Sequence, residues 1–220
     1  MDTIKKTRRT LGEIREIIEN NKYISDILCL VRNEFGFLSI SYLRIVLACL
    51  LSRITHARKL RKDGDLLITH ERAIFVIAIE YLHIYDVNIL IAIFMHDMVE
   101  DYLFWKSWMV YVIFGKEVRD LVFAVTKPDK SLYSNTDEHD RAMFDLVSEG
   151  GPKAMILKTI DRFHNMLTLH GNYKKRNRKV RQTIKYVLPL SAECDTLVYE
   201  LEDAVNIQLL ILREVKSLSR

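Results

Sequence analysis

Glycine and proline are scarce in this 220-residue chain, at seven and three residues. Sheet architectures need turn formers at short intervals, so this scarcity argues against hairpins and strands and for long helices. Cysteine is equally rare. Cys29, Cys49 and Cys194 are far apart, odd in number and without C-x-x-C spacing, which speaks against a disulfide framework or a zinc knuckle and makes a reducing cytoplasm the expected compartment. No long hydrophobic run occurs. IVLACLL (45–51) falls far short of the ~20 residues of a membrane span, and no apolar segment directly follows the basic start MDTIKKTRRT, so no signal peptide is expected. Charge of one sign is lacking too: 33 basic against 29 acidic residues leave +4, too small an excess to indicate a nucleic-acid partner.

What is present is ordinary globular material, 49% hydrophobic and 28% charged. The length fits one domain with a sizeable core. Helical spacing dominates. Residues 3–20 carry Ile4, Leu11, Ile14, Ile17 and Ile18 on one side. Further helices are expected near 22–34, 39–57, 70–84 with Thr69 as cap, and from Asp86 to about 101. The 39–57 helix is apolar on three faces and is expected to be central. Helices over 105–114 and 116–126 are divided by Gly115, and 126–138 is the longest loop. Helices over 138–148, 153–170, 175–188 and 191–216 follow, with Gly150-Gly151-Pro152 and Pro189 as breaks. The fold class is all-α.

Two segments place charge where an apolar helix should not have it. In FMHDMVED (94–101), which follows the apolar run VNILIAI, four of eight residues are ionisable: His96, Asp97, Glu100 and Asp101. In KTIDRFHNMLTLHGN (158–172), Asp161 lies among Ile156, Leu157, Ile160 and Phe163. A buried carboxylate without a partner costs several kcal/mol or shifts its pKa. Both anomalies are resolved if Asp161 and the His96-Asp97 pair converge on one divalent cation, with His70 as a third contributor. Two imidazoles and two carboxylates suit Mn²⁺, Fe²⁺ or Zn²⁺ better than Ca²⁺ or Mg²⁺. Taken singly, each residue has a blander explanation, as a hydrogen-bonded core histidine or a solvated aspartate.

The blocks HARKLRKDGDLLITHE (56–71), FMHDMVED (94–101), FGKEVRDLVFAVTK (114–127) and KTIDRFHNMLTL (158–169), with IKYVLPLS (184–191) after them, resemble in order and spacing the hydrolase domain of the RelA/SpoT alarmone enzymes, a branch of the HD phosphohydrolase superfamily. The resemblance spans about residues 50–195 and implies an HD-domain helical bundle. It puts His70, His96, Asp97 and Asp161 on the four metal-ligand positions and Glu100 and Asp101 on the acidic pair assigned to the hydrolytic water. It also puts Arg61 and Lys62, with Asn165 and Thr168, in the nucleotide pocket. The implied activity is Mn²⁺-dependent removal of the 3′-pyrophosphate of (p)ppGpp to give GDP or GTP. The expected organisation is a helical extension over 1–40 that packs on the domain or mediates self-association, the hydrolase domain over 41–195, and a C-terminal helix over 196–220. No synthetase domain follows the match, so a stand-alone hydrolase is expected. Lys59, Asp63, Leu66-Leu67, Glu71 and Thr159-Ile160 depart from the family pattern; the changes at 59–67 leave the base open. (p)ppApp, the 2′-phosphate of NADPH or a dNTP remain alternatives, as does a non-enzymatic binder on the same scaffold.

Elsewhere the sequence is less pointed. KKRNRKVR (174–181) reads first as a solvated helix face and second as a polyphosphate contact. Lys158 and Arg162 flank Asp161 and are candidates to meet substrate. Trp105, Trp108 and Tyr111 fit core spacing. His164 is a candidate to orient Asp161 or a water behind the metal site.

Overall fold

The computed structural model describes residues 9–57, 60, 66–102 and 104–218, and among them the only β-structure is an isolated bridge between Leu60 and Leu66. Arg61 and Lys62 lie outside the described residues. Helix α1 (Leu11–Asn20) opens where Thr10 and Glu13 close a reciprocal capping box, the Glu13 carboxylate accepting from the Thr10 N–H at 2.7 Å. Ile14 and Ile18 of α1, with Ile27 and Val31 of α2 (Ile24–Phe35), enter the core.

Helix α3 (Ile40–Thr55) starts at Ser39, whose hydroxyl accepts from the Tyr42 N–H. Its apolar character predicts a central position, but only one face is covered. Ile45, Ala48, Cys49 and Ser52 are buried, largely against α5 (Val87–Asp101) and α2, while Ile40, Leu43, Leu47, Leu50 and Ile54 point outward. Helix α4 (Leu67–Val76) begins earlier than Thr69 predicts. Burial of Leu67 draws the first turn inward, and the Thr69 hydroxyl donates back to the Leu66 carbonyl at 2.6 Å instead of capping. A π-helical turn, Ile77–Tyr81, continues α4.

Helix α5 is capped as its sequence predicts: the Asp86 carboxylate accepts from the N–H groups of Asn88 and Ile89 at 2.9 and 3.0 Å. Every residue from Ile89 to His96 is buried. Helices α6 (Ser107–Phe114) and α7 (Lys116–Val125) follow, and here another expectation fails. Trp105 is buried, but Trp108 and Tyr111 are exposed, because α6 buries Val110 and Phe114 and turns its aromatic side outward.

The second half comprises α8 (Thr136–Glu149), α9 (Gly151–Leu167), α10 (Tyr173–Gln182), α11 (Leu188–Glu193) and α12 (Val198–Leu218). Pro189 does not break the chain. A π-helical turn, Thr183–Val187, joins α10 to α11 just before it, so the helix runs on past Pro189, and the break falls instead at Asp195 and Leu197, with φ of 47° and 56°. At the start of α9 a Cβ on Gly150 would lie 2.5 Å from the Ala124 Cβ and 2.8 Å from the Ala154 Cβ. The absence of that atom lets α7 and α9 close on each other. Packed among α4, α5 and α7, α9 then brings Asp161 toward the charged end of α5.

Candidate metal centre

The helix ends deliver their polar groups to one place. Donor atoms of His70 (α4), His96 and Asp97 (α5) all lie within 4.8 Å of one another, the two histidines buried and Asp97 nearly so. Asp161 of α9 approaches from the His70 side, its Oδ1 3.2 Å from His70 Nε2.

The hydrogen bonds around these rings select the nitrogens that face the cluster. His96 Nδ1 lies 2.9 Å from the Ile93 carbonyl, which can only accept, so that nitrogen carries the proton. In the neutral ring Nε2 is then a bare lone pair. It is buried, makes no hydrogen bond, and sits 3.3 Å from the Asp97 carboxylate. A lone pair aimed at a carboxylate is repulsive unless a proton or a metal ion joins them. Burial pushes the His96 pKa down, but Asp97 and Asp161 outweigh it and hold the imidazole above its ordinary value. A cation placed between His96 Nε2 and the Asp97 carboxylate would remove that repulsion. For Asp161, burial favours the neutral acid, but Lys158, with its Nζ 3.1 Å from Oδ2, and His70 hold the carboxyl well below its ordinary range. Asp97 is lowered as well, His96 and His70 overcoming its burial. Two ionised carboxylates and two imidazoles make a donor set that fits a divalent ion.

A second layer steadies the first. His164 Nδ1 lies 2.7 Å from His70 Nδ1, so His164 orients His70. Asn165 donates to the Asp161 carboxylate at 2.6 Å, and the Thr168 hydroxyl donates to the His164 carbonyl at 3.0 Å. Both nucleotide-pocket candidates thus also brace the ligand helix. Behind His70, the fully buried Glu71 accepts from the Ser52 hydroxyl and lies 3.1 Å from His56 Nδ1. Burial, then the neighbouring Asp97, push its carboxyl well above the ordinary range. The sequence signal for Glu71 is a lone acid within LITHERAIFV, next to His70.

In front of the cluster opens a cavity of about 540 Å³, a size suited to a nucleotide. Asp97, Asp161 and His70 lie in its wall beside Glu100, Asp101, Asn165 and Thr168. Glu100 pairs with Lys127, whose pKa burial would lower but Glu100 raises. Lys158 and Arg162 line the cavity too, and so do Lys175, Arg178 and Lys179 of α10. Arg178 is exposed and Lys175 and Lys179 are partly buried, so these three cations of 174–181 are at once solvated and on the cavity wall. Their spacing of three and four puts them on one side of the helix, a pattern that could have been read from the sequence. Lys179 feels the wall most: burial, then Arg162 and Lys127, bring its pKa down to about 7.

No family model matches the chain. Over 156 residues, 67% of its length, it is 34% identical to a probable GTP pyrophosphokinase of Mycobacterium leprae. Over 153 residues it is 32% identical to the bifunctional (p)ppGpp synthase/hydrolase SpoT of Escherichia coli K12. This chain is a relative of the RelA/SpoT alarmone enzymes. It spans about a fifth of the length of these curated relatives, 19% and 21% respectively. Among solved structures, a metazoan orthologue of SpoT described as hydrolysing ppGpp superposes with a TM-score of 0.65 at 22% identity. That match covers 75% of this chain and 95% of the other, and it shows a shared fold. The all-α expectation and the RelA/SpoT resemblance both stand. Among the described residues no helix is long and apolar enough to cross a membrane.

Proposed function

We propose that this chain is a metal-dependent 3′-pyrophosphohydrolase of guanosine alarmones, (p)ppGpp, giving pyrophosphate and GDP or GTP. The observation that carries the reading is the convergence of His70, His96, Asp97 and Asp161 behind Glu100 and Asp101, at the wall of a cavity whose other side is basic. His96 Nε2, His70 Nε2, Asp97 and Asp161 would hold the ion, and Mn²⁺ suits their mixed nitrogen and oxygen character. When bound, a divalent cation there supplies charge stabilisation for a phosphoryl group and a more acidic water.

The chain's own residues do the rest. Glu100 and Asp101, one turn beyond His96 and Asp97, face the position of the attacking water and can accept its proton. The new bond joins the water oxygen to the phosphorus nearest the ribose. The bond that breaks joins that phosphorus to the 3′ oxygen, which leaves with a proton as the ribose hydroxyl. Lys127, Lys158 and Arg162 offset the phosphate charge near the reacting centre, and Lys175, Arg178 and Lys179 receive the remaining phosphates. For Arg61 and Lys62 the support is the sequence resemblance alone, which puts them at the base.

Relatives of this chain bear both pyrophosphokinase and pyrophosphohydrolase names. The hydrolytic reading is favoured because the cluster offers a cation site and water-activating acids. Incubation with Mn²⁺ and a panel of ppGpp, pppGpp, ppApp and NADPH, with products resolved by ion exchange, tests it. Intact pyrophosphate and GDP from ppGpp are expected. Orthophosphate release, or preferred attack on NADPH, would move the chain to another branch of HD chemistry.

A further inference from the structure

We propose that the outer face of α3 is the surface through which two copies of this chain dimerise. The exposed residues of α3 are Ile40, Leu43, Leu47, Leu50, Arg53 and Ile54. Five of the six are aliphatic, and their spacing runs three, four, three, four. That is the a/d seam of a helix that packs against another helix. A helix covered on one side only carries polar residues on its outer side; here the outer side is as apolar as the inner one.

The surface extends beyond α3. Arg44 donates to the Phe114 carbonyl at 2.8 Å and Trp105 donates to the Thr55 hydroxyl at 3.1 Å, so α6 lies antiparallel alongside α3. Phe104, Trp108, Tyr111 and Val112 are all more than half exposed. Together with the five α3 residues they leave on the order of 1,000 Å² of apolar surface in water. This exceeds the few hundred Å² usual for a monomer and matches the ~800 Å² that each partner contributes to a standard interface.

A second copy satisfies this face without a charge conflict. A two-fold axis through Leu47 sets Ile40 against Ile54 and Leu43 against Leu50 of the other copy, and brings Leu47 to its own counterpart. Arg53 then faces Ser41 rather than a second arginine. The surface lies on the side of α3 opposite Ser52 and His56, so dimerisation leaves the cavity open.

Sedimentation velocity on the full chain from about 1 to about 100 µM tests the proposal, since a reversible dimer responds to concentration. A species of twice the 25.9 kDa chain mass is expected. Leu47→Glu combined with Leu50→Glu should sediment as a monomer with unchanged helical circular dichroism. Should that variant fail to fold, Leu47→Cys in a Cys29→Ser background decides the matter: it should form a disulfide-linked dimer under mild oxidation, and Leu210→Cys should not. A wild-type chain that stays monomeric throughout overturns the proposal. So does a dimer that survives both glutamates, or a Leu47→Cys chain that does not cross-link. Co-sedimentation of a monomeric chain with vesicles of phosphatidylcholine and phosphatidylserine would assign the face to lipid instead.

Discussion

Helices α5 and α10 reach the same cavity from opposite compositions. α5 is apolar from Ile89 to Met95 and then turns abruptly to His96, Asp97, Glu100 and Asp101. α10, YKKRNRKVRQ, is polar nearly throughout and anchors itself with Val180. Charge that interrupts an apolar helix stands out in the sequence, so it announces a site. Charge on a polar helix has the whole solvent available, and the three cations that face the cavity are hidden among those that do not. Arg176, for one, pairs with Gln208 on α12. On the proposed reading the two helices carry opposite tasks: α5 gathers anionic and neutral donors for a cation, α10 gathers cations for phosphate.

The sharpest break of this contrast is on the anionic side. Asp161→Ala removes a carboxylate that His70, Lys158 and Asn165 all address, and it should abolish both bound metal and turnover. Metal content by mass spectrometry, with the melting temperature in the presence and absence of Mn²⁺, measures this; the Mn²⁺-dependent rise in melting temperature should vanish with the site. An Asp161→Ala chain that keeps metal and activity would dissolve the four-residue reading.

Next in size is the chemistry at the end of α5. Glu100→Gln and Asp101→Asn should retain metal and nucleotide affinity while kcat falls by roughly 10²–10⁴-fold, the range of a general acid or base. Loss of metal from either variant would make that residue a ligand.

α10 should respond differently. Lys175→Ala with Arg178→Ala is expected to raise KM by about ten- to a hundredfold with little change in kcat, as for contacts made equally in ground and transition states. The increase should shrink at high salt, because exposed cations are screened. A fall in kcat at constant KM would place these residues at the reacting phosphate instead.

The smallest effect is a pH dependence. With its pKa lowered to about 7, Lys179 in the free chain is charged below that pH and neutral above it. Affinity for a polyanion should therefore weaken as pH rises through about 7. Lys179→Arg, which stays charged, should remove this part of the KM profile. Identical profiles for the two chains would show that Lys179 does not meet the phosphates.

Legibility followed the same physics. The cap at Asp86, the Gly115 divide and the all-helical character were readable because each depends on local backbone chemistry. His70, His96, Asp97 and Asp161 were readable because each interrupts an apolar pattern, and the resemblance to RelA/SpoT sharpened them. What escaped depended on tertiary facing. Thr69 lost its capping role to the burial of Leu67, and Pro189 is passed by a continuous helix through a π-helical turn instead of stopping it. Trp108 and the outer leucines of α3 have the composition of core residues but face outward. Periodicity reports that a helix has an apolar side; it does not report which side the rest of the chain covers.

The central claim is that the polar side chains of α4, α5 and α9 meet because a divalent cation belongs between them. Crystals of the chain soaked in MnCl₂ and measured at the manganese absorption edge test it most directly. The expected result is one strong anomalous peak within bonding distance of His70 Nε2, His96 Nε2, Asp97 and Asp161. A map with no peak there, or with manganese held only by Glu100 and Asp101, would contradict the account.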